Sequence, residues 1–177
     1  METDEPLPAG AFSDWLAQMR RVLRGEGEAD VPCGECTGCC TSSQFVHIEP
    51  DEVDALEHIP PALLFPAPRM PHGHVLLGYD ADGRCPMLGD HGCSIYEHRP
   101  RTCRTYDCRI FPAAGVEVTE AVQVAIGRRV RRWRFDHPTE TDRREHEAVR
   151  AAAAADESSA SATERAVRAV RSAESAG

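Results

Sequence analysis

Residues 33–40 read Cys-Gly-Glu-Cys-Thr-Gly-Cys-Cys, four thiols within eight positions. Thiolates ligate soft and borderline metals, and the spacing Cys33-x2-Cys36-x2-Cys39 lets one loop offer three of them to three corners of a cubane. Bacterial ferredoxin runs use the same three positions, but their fourth cysteine, three residues on, is missing here; Cys40 follows at once. Neighbouring side chains project in different directions, so Cys39 and Cys40 are not expected to reach one ion without strain. Either Cys40 serves a second site, or the fourth ligand comes from Cys85, Cys93, Cys103 or Cys108. Gly34 and Gly38 suit a loop that wraps its backbone amides around sulfur.

The distal cysteines lie among Arg84, Arg99, Arg101, Arg104 and Arg109. Nearby guanidinium groups favour thiolate over thiol and offset the negative charge of a thiolate-ligated centre. Eight thiols can hold two four-ligand sites, or one cluster with the remaining thiols structural or redox-active. The candidate metal ligands are therefore Cys33, Cys36, Cys39, Cys40, Cys85, Cys93, Cys103 and Cys108. An iron-sulfur cluster of the 4Fe-4S type is the leading reading. Structural zinc is the rival, although only the first half supplies a clean Cys-x2-Cys knuckle. His72, His74, His91 and His98 lie near the distal cysteines and could replace a thiolate, but read more simply as solvated loop residues.

Composition narrows the classes. A formal net charge of -9 over 177 residues argues against a general nucleic-acid or anionic-membrane binder. All 20 basic residues are arginine, and only ten residues are Phe, Tyr or Trp, so a domain this poor in aromatic anchors gains from a metal staple. The stretch "GRRVRRWRFDHP" sets five arginines around Trp133 and Phe135, and reads as a solvated face rather than an RNA patch. The acidic N-terminus has no apolar h-region, and no stretch approaches the roughly 18 apolar residues that span a bilayer. The expected location is cytoplasmic, where clustered cysteines bind metal more often than they form disulfides.

Several elements must position the thiols. Phe12, Trp15, Leu16, Met19, Val22 and Leu23 predict a helix over 11–24. Residues 45–48 read as a strand, followed by a helix carrying Val53, Leu56 and Ile59. Five prolines make 60–73 a crossing loop. Residues 74–88 read as a hairpin turning at Asp82-Gly83. Residues 85–108 should be mostly loop, with one short helical piece. The alternation Val116, Val118, Val122, Val124, Ile126 admits a strand or a helix, and a polar helix is expected over 139–152. In domain terms, 1–30 is an N-terminal helix and linker, 31–112 the cysteine domain, 113–152 a strand and helix extension, and 153–177 a polar tail, a frayed helix or disordered.

"CGECTGCC" followed by "GRCPML" and "GCSIYEHRPRTCRTYDC" resembles the YkgJ-type cysteine-cluster proteins, the CxxCxxCC zinc- or iron-chelating family. The resemblance covers roughly residues 30–112 and includes Pro86, Ile95, Tyr96, Arg99, Pro100 and Arg104 in the family's order. It implies a bacterial metal-binding protein holding an iron-sulfur cluster. Related domains occur in flagellin lysine N-methylases, but no Gly-rich strand-to-helix turn for S-adenosylmethionine is present and the radical-enzyme spacing Cys-x3-Cys-x2-Cys is absent, which argues against that activity.

The expected fold is a small α+β metal-stapled domain with flanking helices and a short β-hairpin. The expected function is electron transfer, redox sensing or cluster delivery to a protein partner, without nucleic acid, membrane or substrate turnover. The alternatives are a zinc-stapled interaction module and, third, a metal-dependent enzyme.

Overall fold

Phe12, Trp15, Leu16, Met19 and Val22 recur at helical spacing, and in the computed structural model they form the buried face of the first helix. The structure describes residues 5–119 and 121–173, without the side chain of Val122. The elements run β1 (Leu7–Ala11), α1 (Phe12–Leu23), β2 (Val46–Ile48), α2 (Val53–His58), β3 (Leu64–Pro66), β4 (Val75–Leu77), β5 (Leu88–Gly89) and β6 (Gly92–Cys93). There follow α3 (Arg101–Thr105), α4 (Ile110–Ala114), α5 (Val124–Arg132), β7 (Trp133–Asp136), α6 (Glu140–Ala154) and α7 (Ala162–Ser172). The fold is α+β, as the composition of helical and alternating segments predicts.

Two compact units divide the chain. The first is drawn from residues 1–29, 107–119 and 126–177, the second from 30–106 and 120–125. In the first unit β1 pairs in parallel with β7, Leu7 facing Trp133 and Ala11 facing Asp136. Helix α1 packs on α6 and α7, and α4 packs on the same two. Phe12 stacks on His146 at 4.2 Å between ring centroids, with Phe135 edge-on to Phe12 at 5.1 Å. Both α6 and α7 begin with capping boxes, Thr139 with Asp142 and Ser161 with Glu164, each satisfying backbone amides that a helix start leaves open.

Beneath this helical layer lies a buried ion pair. Arg109 donates to both carboxylate oxygens of Asp107, and the indole Nε1 of Trp15 donates to the same carboxylate at 2.9 Å. Arg109 also donates to the carbonyl of Ala9, so α1, through Trp15 and the Asp107 carboxylate, and β1, through the guanidinium, are joined to the segment entering α4 by one ion pair.

The second unit centres on an antiparallel sheet in the order β2-β4-β3. Val46, Ile48, Ile59, Leu77 and Ile95 form its core, with Cys85, Met87 and Cys93 packed against it.

The structure departs from expectation in several places. Both edges of β4 are occupied, by β2 and β3, so no hairpin forms across Asp82-Gly83. A tight turn does form there: the Asp80 carboxylate accepts from the amides of Asp82 and Arg84. The proline-rich crossing segment is not wholly irregular, since it supplies β3. The alternating valines do not make a strand; α5 begins at Val124, and its buried positions Ile126 and Val130 follow the helical period. The tail contains α7, which buries Ala166, Ala169 and Val170, small side chains that allow close approach to α4 and α6.

Replacing Asp107 by Ala leaves Arg109 buried without its carboxylate and should cost about 3 to 5 kcal/mol in chemical denaturation. His146 yields a pH dependence. Burial is the main cause holding its pKa below the ordinary 6.5, aided by His137 and Arg150 and opposed by the Pro112 carbonyl. The folded state thus prefers neutral imidazole, so this contribution is intact above about pH 6.5 and declines as pH falls through the lowered pKa. Between about pH 7.5 and about pH 5.5 the wild type should lose more stability than His146→Gln.

Candidate metal centre

The cysteine loop is folded by its own backbone. The amide of Cys36 donates to the carbonyl of Cys33 at 3.0 Å, closing a turn around Gly34, whose φ of +56° is left-handed. The Gly38 amide points at the Cys36 sulfur, 3.5 Å away. A short 3-10 turn carries Cys39–Thr41, and the fully buried Ser42 hydroxyl donates to the Gly38 carbonyl at 2.6 Å. This turn brings the sulfurs of Cys39 and Cys40 to 3.9 Å, so the adjacent side chains do not diverge as neighbours in an extended segment would.

The distal segment is joined directly to this loop. The Cys85 amide donates to the Cys40 carbonyl at 2.7 Å, and the Ser43 amide to the Gly83 carbonyl at 2.9 Å. The β5–β6 ribbon sets Cys93 opposite Leu88, and Ser94 donates its amide and hydroxyl to the Met87 carbonyl. Cys103 sits on α3, which is anchored from outside. The Arg101 amide donates to the buried Glu52 carboxylate, its guanidinium pairs with Glu49 and Asp51, and the Thr102 hydroxyl donates to the His47 carbonyl.

Five of the eight cysteines share one electrostatic environment. The hydrogen bond from Cys40 lowers the Cys39 thiol to about 7, with Arg99 contributing in the same direction. That same bond pushes Cys40 strongly up, reinforced by burial and by the neighbouring Cys39, Cys85 and Cys103. Burial raises Cys85, with Cys93 and Cys39 adding to it. Cys103 is exposed at its surface side, yet the crowding around its sulfur partly desolvates it and raises the thiol to about 12, with Cys39, Cys85 and Cys93 adding and Arg99 opposing. Arg99 is itself fixed, donating to the Tyr96 carbonyl at 2.8 Å with its guanidinium 3.6 Å above the Tyr96 ring centre. One arginine cannot neutralise five thiolates. The donor set fits a metal group, because a bound cation supplies the charge that would let the remaining thiols ionise.

The other predicted ligands are placed differently. Cys33 is exposed at the head of the loop, and Cys36 faces the Gly38 amide. Cys108 belongs to the first unit, where the Trp133 indole donates to its sulfur at 3.2 Å. All eight are free of disulfides. His74 is bonded to His47, His98 to Asp54, and His72 and His91 are exposed. Glu52 and Ser42 support the site without any motif to mark them, whereas Tyr96 lies within the cysteine signature.

A family model for a domain described as zinc- or iron-chelating, built on the CxxCxxCC signature, matches residues 32–125. The chain belongs to the CxxCxxCC family. The matched span holds all eight cysteines and ends before β7, α6 and α7. Metal chelation through clustered cysteines is therefore the function that this CxxCxxCC domain supports. Neither the curated proteins nor the solved structures contain a match. Among the described residues, no helix is long and apolar enough to cross a membrane.

Gly83 is a sensitive point of this centre. Its φ is +76°, and a Cβ there would collide with the Ser43 hydroxyl. Gly83→Ala should cost about 1 to 3 kcal/mol in denaturation and reduce metal content per chain, since the turn it distorts leads directly to Cys85.

Proposed function

We propose that this CxxCxxCC domain holds an iron-sulfur cluster, of the 4Fe-4S type, and serves in electron transfer, redox sensing or cluster delivery to a protein partner in the cytoplasm. The observation that carries the reading is the breadth of the thiol field. Cys39, Cys40, Cys85, Cys93 and Cys103 influence one another, yet among the described residues no three of their sulfurs lie within 4.8 Å of each other. A tetrahedral zinc with bonds of about 2.3 Å draws its sulfurs to roughly 3.8 Å apart. A cubane spreads its ligands more widely, a demand that thiols standing farther apart can meet. The four ligands would come from these five cysteines. A bound cluster supplies one-electron redox chemistry. Arg99 offsets its negative charge, while the apolar wall behind Cys85 and Cys93 limits access of water.

One observation favours a zinc staple instead. Cys39 and Cys40 already stand at 3.9 Å, close to the single-ion spacing. Metal and acid-labile sulfide analysis of protein purified without oxygen separates the two readings. Iron with matching sulfide and a broad visible absorption is the expected result. Colourless protein carrying zinc alone would sink the cluster reading and leave a folded interaction module.

A further inference from the structure

We propose that Asp54, His58 and His98 form a second metal site, for one transition-metal dication, distinct from the thiols. Asp54 and His58 lie one turn apart on α2, and His98 closes the 3-10 turn Tyr96–His98. One ligand atom from each lies within 4.8 Å of the other two. The His98 Nδ1 is 2.9 and 3.0 Å from the two Asp54 carboxylate oxygens. The His58 Nδ1 is 2.7 Å from the Asp54 carbonyl and 3.6 Å from its carboxylate. The two imidazoles stack at 3.5 Å between centroids, 5° from parallel.

This arrangement is tied to the core on both sides. Ile59 follows His58 and Ile95 precedes the His98 turn, and both isoleucines are buried in the same apolar cluster. Two backbones are thus fixed while three polar tips converge in solvent, with the side chains of His58 and His98 at 40% and 39% exposure. An ion has an open path to them. Two imidazoles with one carboxylate make a nitrogen and oxygen set suited to zinc, iron(II), cobalt(II) or nickel(II), with remaining positions left to water. The thiol nest prefers softer bonding, so the two sites differ in selectivity. Parallel rings cannot both aim in-plane lone pairs at one ion between them. Binding therefore turns at least one imidazole, replaces the hydrogen bond between His98 and Asp54, and ends the stacking.

The test uses the full chain with its cysteine-bound metal retained, titrated with cobalt(II). The expected result is one added equivalent without a sulfur-to-cobalt charge-transfer band, lost in the His58→Ala/His98→Ala double variant. Metal already bound to cysteine should be the same in both proteins. That content is measured separately, so failure of the cluster reading and failure of this one are distinguishable. Imidazole resonances in the wild type decide the matter even where the variant folds poorly. Paramagnetic broadening confined to His58 and His98 supports the site. Broadening spread across all eight histidines, no added equivalent, an equivalent with the sulfur band, or one that survives in the double variant would overturn it. In those cases Asp54 and His98 are an ion pair that ties α2 to its neighbour.

Discussion

Thiols packed closely enough to feel one another resist ionising together, and this constraint governs the second unit. Each thiolate formed raises the cost of the next, while the partial burial of Cys85 against the apolar core removes some of the water that would otherwise absorb the charge. Arg99 is the cation that favours the ionised form of Cys39 and Cys103, and the acidic overall composition offers no general remedy. A centre built this way is under-charged until something positive enters it. The apolar packing behind Cys85 and Cys93 and the backbone bond from Cys85 to Cys40 hold the thiols in this unfavourable company.

What holds them is outside the cysteine signature. Glu52 is buried and accepts from the amides of Glu49 and Arg101, so the start of α2 and the start of α3 share one carboxylate. Arg101 then spreads its guanidinium over Glu49 and Asp51. Exposed pairs of this kind contribute little individually. The buried Glu52, with two amides pointing at it, is the firmer part of the anchor. Cys103 is thus positioned by acids some fifty residues earlier in the chain.

Much of this was legible in the sequence, and the remainder was hidden for physical reasons. The thiol pattern, the α+β class, α1 and α6 follow from spacing and periodicity, which are local properties. The partners of β4 do not, because a short apolar strand pairs with whatever edge tertiary packing presents, and Asp82-Gly83 offered a plausible local alternative. The proximity of Cys39 and Cys40 depended on a 3-10 turn fixed by Ser42, a residue without any distinguishing pattern. Asp54 and His58 carried a readable signal, ligand types four apart on a helix, but His98 completes their cluster from forty-four residues away. The tail reads from sequence as a frayed helix or as disorder; its packing is not legible, because the contact surface of α7 is alanine and valine, small side chains that leave little trace in an aromatic count.

The parallel pairing of β1 with β7 bears on the order of folding. Leu7 cannot meet Trp133 until the intervening chain exists, and almost all of the cysteine-bearing unit lies within that interval. During synthesis residues 30 to 106 emerge well before β7, whose pairing with β1 the other unit needs. The helical unit must close a loop of more than a hundred residues, an entropic demand that grows only slowly with length but delays the contact itself. The metal-binding unit therefore has an interval in which to take up its ion before the ends of the chain come together around their own core.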